Sequence, residues 1–125
     1  MSVNKKYNDE RAKYAYDFAF RISEEKNEKL QKEFRSLARS FPVMIQNNGL
    51  CASIAFLQAK CKLHHEKLYL SIEGWLIKQN FIDKNKCLMD GIVELSRDDY
   101  RIVSKEIMAY LLWVKRFAEG LLKDE

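Results

Sequence analysis

One proline and four glycines in 125 residues leave this chain with almost no turn signals. A β-sandwich or barrel needs many tight turns, so neither fits, and helices are favoured. The three cysteines, Cys51, Cys61 and Cys87, form no CxxC pair. An odd count without an export signal points to buried thiols in a reducing cytosol, not to a disulfide framework. Long apolar runs are missing too. The longest, Ile107 to Val114, falls far short of the roughly 20 residues of a membrane span, and the polar N-terminus gives no signal peptide. A soluble, cytoplasmic protein is expected, with no membrane partner.

The composition is that of a globular chain, with 47% hydrophobic and 32% charged residues. Its length fits one helical domain over residues 1–125, in which residues 1–7 are expected to be flexible. The net charge of +4 biases the protein toward a polyanion without establishing one.

Helical periodicity divides the chain into about five to six helices. Asn8 is expected to cap the first, which runs to about Ser23 with Tyr7, Tyr14, Phe18 and Ile22 along one side beside Ala15 and Ala19. After a charged joint at Glu24 to Asn27, the residues Leu30, Phe34, Leu37 and Phe41 make a single stripe. Pro42 is expected to end that helix and start the next, with Ser40 as the cap. The third helix then carries Val43, Asn47, Leu50, Ile54, Leu57 and Cys61 on one stripe, one member being an amide. A second face of Asn48, Ala52, Ala55 and Ala59, flanked by Gly49 and Ser53, would admit a close neighbour.

A bend near Lys62 to His65 introduces a fourth helix, with Leu68, Ile72, Trp75 and Leu76 inward and Asn80 closing it. Residues 84–95 read as a short helix, although Asp90-Gly91 is also a hairpin signal. Ser96, followed by Asp98 and Asp99, opens a long C-terminal helix reaching about Leu122. Its main stripe is Tyr100, Val103, Ile107, Tyr110, Val114, Phe117 and Leu121, widened by Ala109 and Trp113. The centre, IMAYLLWV, is apolar nearly all round and is expected to be the central post of an all-α bundle.

Catalytic frames are hard to find. No glycine-rich phosphate loop and no nucleophile elbow occur, and Asp98-Asp99 reads as a helix-start pair. Cys61, His64 and His65 are close in sequence, but a closed zinc site needs four ligands, and no second pair exists. No enzyme activity, metal or cofactor is therefore expected. The basic residues align better. Arg97, Arg101 and Lys105 recur every four residues, and the same side continues to Lys115 and Arg116, with Glu119 placed to neutralise Lys115 at i, i+4. Glu94 and Asp98 are the acids closest to the near end. Such a stripe could follow a phosphate backbone or simply face solvent.

Two blocks carry a resemblance: SFPVMIQNNGLCASIAFLQAK at 40–60 and YRIVSKEIMAYLLWVKRFAEG at 100–120, with Trp75 between them. Together they resemble the small, all-helical fifth subunit of the Cmr-type (type III-B) CRISPR effector complex. Ser104 stands where a threonine is expected. The resemblance implies a non-catalytic protein that packs head to tail with copies of itself along a guide-RNA ribonucleoprotein. The partners so implied are guide RNA, target RNA, a repeated backbone subunit and a large subunit, and cleavage belongs to those other subunits. On this reading Arg97, Arg101, Lys105, Lys115 and Arg116 are candidate phosphate contacts, followed by Lys60 and Lys62. Pro42, Gln46, Asn47, Asn48, Gly49, Trp75 and Trp113 are assigned to structure and assembly. A helical protein–protein adaptor and the small subunit of the type III-A complex are the alternatives.

Overall fold

Stripes of apolar residues at helical spacing become six helices: α1 (Val3–Glu24), α2 (Glu28–Asn48), α3 (Leu50–Lys60), α4 (Leu63–Lys78), α5 (Leu88–Val93) and α6 (Arg97–Leu121). The computed structural model describes residues 3–124, and within them no strand occurs. Residues 1 and 2 and the Tyr7 side chain, part of the expected flexible end and of the first stripe, lie outside the described residues.

α1 begins upstream of the expected Asn8 cap, so Asn8 is a helical residue whose side chain accepts a hydrogen bond from Trp113 Nε1 at 2.9 Å. Ala15, Ala19 and Ile22 of its stripe are buried, and Tyr14 and Phe18 pack against the core. Lys26, at φ 55°, breaks the chain between α1 and α2. Asn27 caps α2, its side chain accepting from the Leu30 N–H at 3.1 Å.

The expected break at Pro42 does not occur, because α2 runs through it to Asn48. An interior proline forfeits the bond to the carbonyl four residues back and costs about 3 kcal/mol. On either side of it, however, Leu30, Phe34, Leu37, Phe41 and Ile45 share one buried face. Each such side chain contributes about 1.5–3 kcal/mol when removed from water, so the continuous stripe wins. Ser40 is accordingly not a cap, and its hydroxyl donates to the Leu37 carbonyl at 3.3 Å.

The break comes instead at Gly49, with φ 88° and ψ 163°, a region open essentially to glycine alone. The expected 43–61 stripe is thereby cut in two. Leu50, Ile54 and Leu57 are buried, whereas Val43, Asn47 and Cys61 are exposed. Ala52, Ala55 and Ala59 are exposed as well, so no described helix covers the small-residue face.

Two helices obtain their N-terminal caps from a neighbour. No side chain next to α3 in sequence caps it, and the Cys51 N–H donates to the Tyr100 hydroxyl of α6 at 2.9 Å. At α5, the Leu88 N–H donates to Glu73 Oε2 at 2.8 Å and the Met89 N–H to the Tyr69 hydroxyl at 3.0 Å, both from α4. Burial pushes Tyr69 up to about 12. Asp90-Gly91 is helical and no hairpin forms there. Asn80 closes α4 at φ 62°, its N–H donating to the Ile77 carbonyl and that of Phe81 to Leu76, the paired bonds of a Schellman end.

α6 starts at the Ser96 cap, whose hydroxyl accepts from the Asp99 N–H at 3.1 Å. Its 25 residues span about 37 Å. It runs antiparallel to α2: Tyr100 lies by Cys51, just past the end of α2, and Glu119 lies by Arg35 and Arg39. Gln31, 5% exposed, donates to the Ser23 carbonyl and accepts from the Lys123 N–H, tying three segments together. α6 is not wrapped on all sides, since Ile102 and Leu112 are exposed. The largest fully buried side chains are Trp75, Tyr110, Phe34 and Phe41.

Candidate functional site

The solvent face of α6 is set by the opposite, buried face. With Val103, Ile107, Tyr110, Val114 and Ala118 inward, the helical period puts Arg97, Arg101 and Lys105 outward, and all three are exposed. Among the described residues none of the three makes an ion pair or side-chain hydrogen bond. Five cations elsewhere are engaged. Arg11 pairs with Glu106, Arg35 with Asp124, Arg39 with Glu119, Lys67 with Glu25 and Lys86 with Glu94. Two of the three acids placed to quench the stripe are thus held elsewhere, and Asp98, the third, makes no ion pair with it among the described residues. Glu119 is held by Arg39 rather than Lys115, and Glu94 by Lys86.

Lys115 is half-buried and Arg116 exposed, with the Arg116 guanidinium 5.0 Å from the Trp113 ring centre. Trp113 stacks on Phe117 at 5.7 Å, and Phe117 meets Tyr16 of α1 edge-on at 5.3 Å. Tyr16 in turn stacks on Phe20 at 6.0 Å. Trp113 and Phe117 are therefore edge residues of the bundle, and not only a widening of its core stripe. Tyr16 and Phe20, which fit no inward stripe, are 41% and 43% exposed.

Lys60 and Lys62 do not join the α6 stripe. Lys62 lines a cleft with Asn27, Lys29, Glu33 and His64, beside the start of α2. Tyr100 and its neighbours sit past the other end of that helix, on the order of 30 Å away along its axis. Lys60 lies over the Phe56 ring at 5.4 Å. The amides Gln46, Asn47 and Asn48 are exposed at the end of α2, and among the described residues their side chains make no hydrogen bond. Trp75, by contrast, is 1% exposed and donates to Glu106 Oε2 at 3.0 Å.

Cys61, His64 and His65 each turn to a different partner, although the two imidazoles are neighbours. Cys61 and Cys87 are exposed and Cys51 half-buried, against the expectation of buried thiols. The Cys61 thiol reaches the Gln58 carbonyl, the His64 Nδ1 lies 3.4 Å from Glu33, and the His65 ring meets Phe56 edge-on. Burial holds both imidazoles below the ordinary histidine range. Among the described residues no cluster of three His, Cys, Asp or Glu side chains could hold a metal ion. No described helix is long and apolar enough to cross a membrane. Ser104 does place a hydroxyl on α6, but its Oγ is buried without a hydrogen-bond partner among the described residues.

Fold and surface together define a small all-helical bundle with exposed cations, unpaired among the described residues, along one face of its last helix. Comparison with known proteins narrows that class. Residues 7–121 match the family described as CRISPR-associated protein (Cas_Cmr5), and the chain belongs to that family. It is similar to the CRISPR system Cmr subunit Cmr5 of Thermus thermophilus, 26% identical over 92 residues that cover 74% of this chain and 77% of the relative. Its fold is similar to the crystal structure of a CRISPR-associated Cmr5 family protein from the same organism. That match has a TM-score of 0.78 at 22% identity and covers 98% of this chain and 100% of the other.

Proposed function

We propose that this chain is the non-catalytic small subunit of a type III-B, Cmr-type, RNA-guided effector complex, acting in the cytoplasm in antiviral defence. Copies stack head to tail along guide and target RNA, beside the repeated backbone subunit and the large subunit, and help form the groove that holds the target. One observation carries the RNA part of this reading: Arg97, Arg101 and Lys105 stand exposed on one helix face, with no ion pair among the described residues. Free cations at that spacing can displace counterions from a phosphate backbone without reading bases. The family match supports membership of such a complex.

Head-to-tail contact between identical chains is heterologous and can extend instead of closing. The uncovered Ala52, Ala55 and Ala59 face and the exposed Val43, Ile102 and Leu112 suit such a contact. Those same residues favour the second reading, a helical adaptor that binds only protein. Copurification separates the two, because only the first predicts association with a guide-RNA complex.

The direct test is Arg101→Glu with Lys105→Glu in the assembled complex. RNA retention should fall. The slope of log affinity against log salt should drop by about 0.7–0.9 for each phosphate that is no longer neutralised. Unchanged affinity and slope would remove the stripe from the interface.

A further inference from the structure

We infer that the aromatic strip formed by Tyr16, Phe20, Phe117 and Trp113 is a stacking platform for unpaired nucleobases, at the edge of the cationic face of α6. The inference rests on the RNA reading above and adds to it the form of nucleic acid that this surface takes. The four rings are contiguous across two helices, with centres 5.3–6.0 Å apart in sequence of contact. Tyr16 and Phe20 present more than two fifths of their surface to solvent. Trp113 and Phe117 are half-buried behind them, and the adjacent exposed rings of Tyr16 and Phe20 present apolar surface that a covering group would remove from water.

Charge decides what fits there. Arg116 belongs to the cationic face of α6, yet its guanidinium lies over the Trp113 ring. Arg116 thus sets a cation on the strip itself, about 16 Å along α6 from Lys105, so the strip is not a purely apolar patch. The exposed rings of Tyr16 and Phe20 with a guanidinium close by on Trp113 match the two halves of a nucleotide, the base on the open rings and the phosphate on Arg116. A duplex keeps its bases stacked inside, so the strip selects single-stranded nucleic acid.

The experiment compares two labelled 12-mers of equal length and charge at low salt by fluorescence anisotropy: oligouridylate, and an abasic ribose-phosphate oligomer. The full chain should bind oligouridylate on the order of tenfold more tightly, the worth of about one stacked base. Tyr16→Ala with Phe20→Ala should abolish that preference and leave the salt slope unchanged. Arg101→Glu with Lys105→Glu should weaken both oligomers equally. Equal affinity of the unaltered chain for both oligomers overturns the platform while leaving the phosphate stripe intact. Failure to bind either oligomer overturns the stripe and the platform together. If Tyr16→Ala with Phe20→Ala instead keeps the base preference and reduces concentration-dependent self-association, the strip is a protein contact and the inference is wrong.

Discussion

The Arg11 guanidinium holds Glu106 from 95 residues away, with Nε 2.6 Å from one carboxylate oxygen and Nη2 2.8 Å from the other. The oxygen nearer Nε also accepts from Trp75 Nε1 at 3.0 Å. One carboxylate on α6 thus satisfies a cation from α1 and an indole from α4. Both members of the ion pair are mostly shielded from water. Glu106→Ala leaves a shielded guanidinium and a buried indole N–H without that acceptor, and should cost about 2–4 kcal/mol. Urea unfolding measures it. Glu106→Gln should cost less, because the amide oxygen can still serve Trp75. Equal losses for the two variants would show that the indole bond contributes little.

The buried pair of Ser71 and Tyr110 allows a second check, with hydroxyl oxygens 2.6 Å apart and both residues at 0% exposure. Tyr110→Phe strands the serine hydroxyl and should destabilise by about 1–3 kcal/mol. Adding Ser71→Ala should recover part of that, since the orphaned group is then gone. A double variant no better than the single one would place the cost in packing against Trp75 instead.

Three glycines should respond differently to alanine. At Gly91 a Cβ would sit 2.9 Å from Ile82 Cγ2 and 3.1 Å from Ile82 Cβ, a clash worth about 1–3 kcal/mol. Gly49, at φ 88°, should lose about 1–3 kcal/mol from backbone strain. Gly120, near the end of α6 with nothing within 4 Å of its Cβ position, should gain about 0.5–1 kcal/mol. Thermal unfolding of the three single variants gives the order directly.

Acid should loosen the junction of α2 and α4. The His64 and His65 rings lie 4.1 Å apart. Both are held below the ordinary range, by burial first and by the cations Lys29, Lys60 and Lys62, with Glu33 opposing. The unfolded chain therefore takes up protons before the folded one does. Stability from these groups is complete above about pH 6.5 and is lost as pH falls through the lowered folded values. His65→Phe should flatten the dependence between about pH 6.5 and 5, and it also removes the buried, unpartnered Nδ1. A curve already flat in the unaltered protein would sink this account.

Helix number and inward faces were legible because 3.6-residue periodicity is a local property. The stripes through Phe34, Leu68, Ile72 and Val103, and the Ser96 cap, were visible in the chain and are present in the fold. Pro42 was misleading because a strong local rule met a stronger tertiary one. The signal against it was there: Ile45 continues the Phe41 stripe, and Asn47-Asn48-Gly49 is a helix-ending run. The α6 stripe was legible as charge, but its freedom was not, since only the fold sends Glu119 to Arg39 and Glu94 to Lys86. Tyr16 and Phe20 were missed altogether. Their signal was a pair of aromatics at i, i+4 spacing off the inward stripe of α1.

The caps borrowed across helices make some helix starts depend on distant parts of the chain. α2 and α6 carry their own starting caps in Asn27 and Ser96, so each can begin to wind as soon as its own residues leave the ribosome. α3 closes its first turn through the Ser53 N–H and the Gly49 carbonyl, but the hydroxyl that takes its Cys51 N–H belongs to Tyr100, 49 residues later. The start of α3 therefore gains its side-chain partner only when α6 docks, which couples the stability of the segment after Gly49 to the last helix.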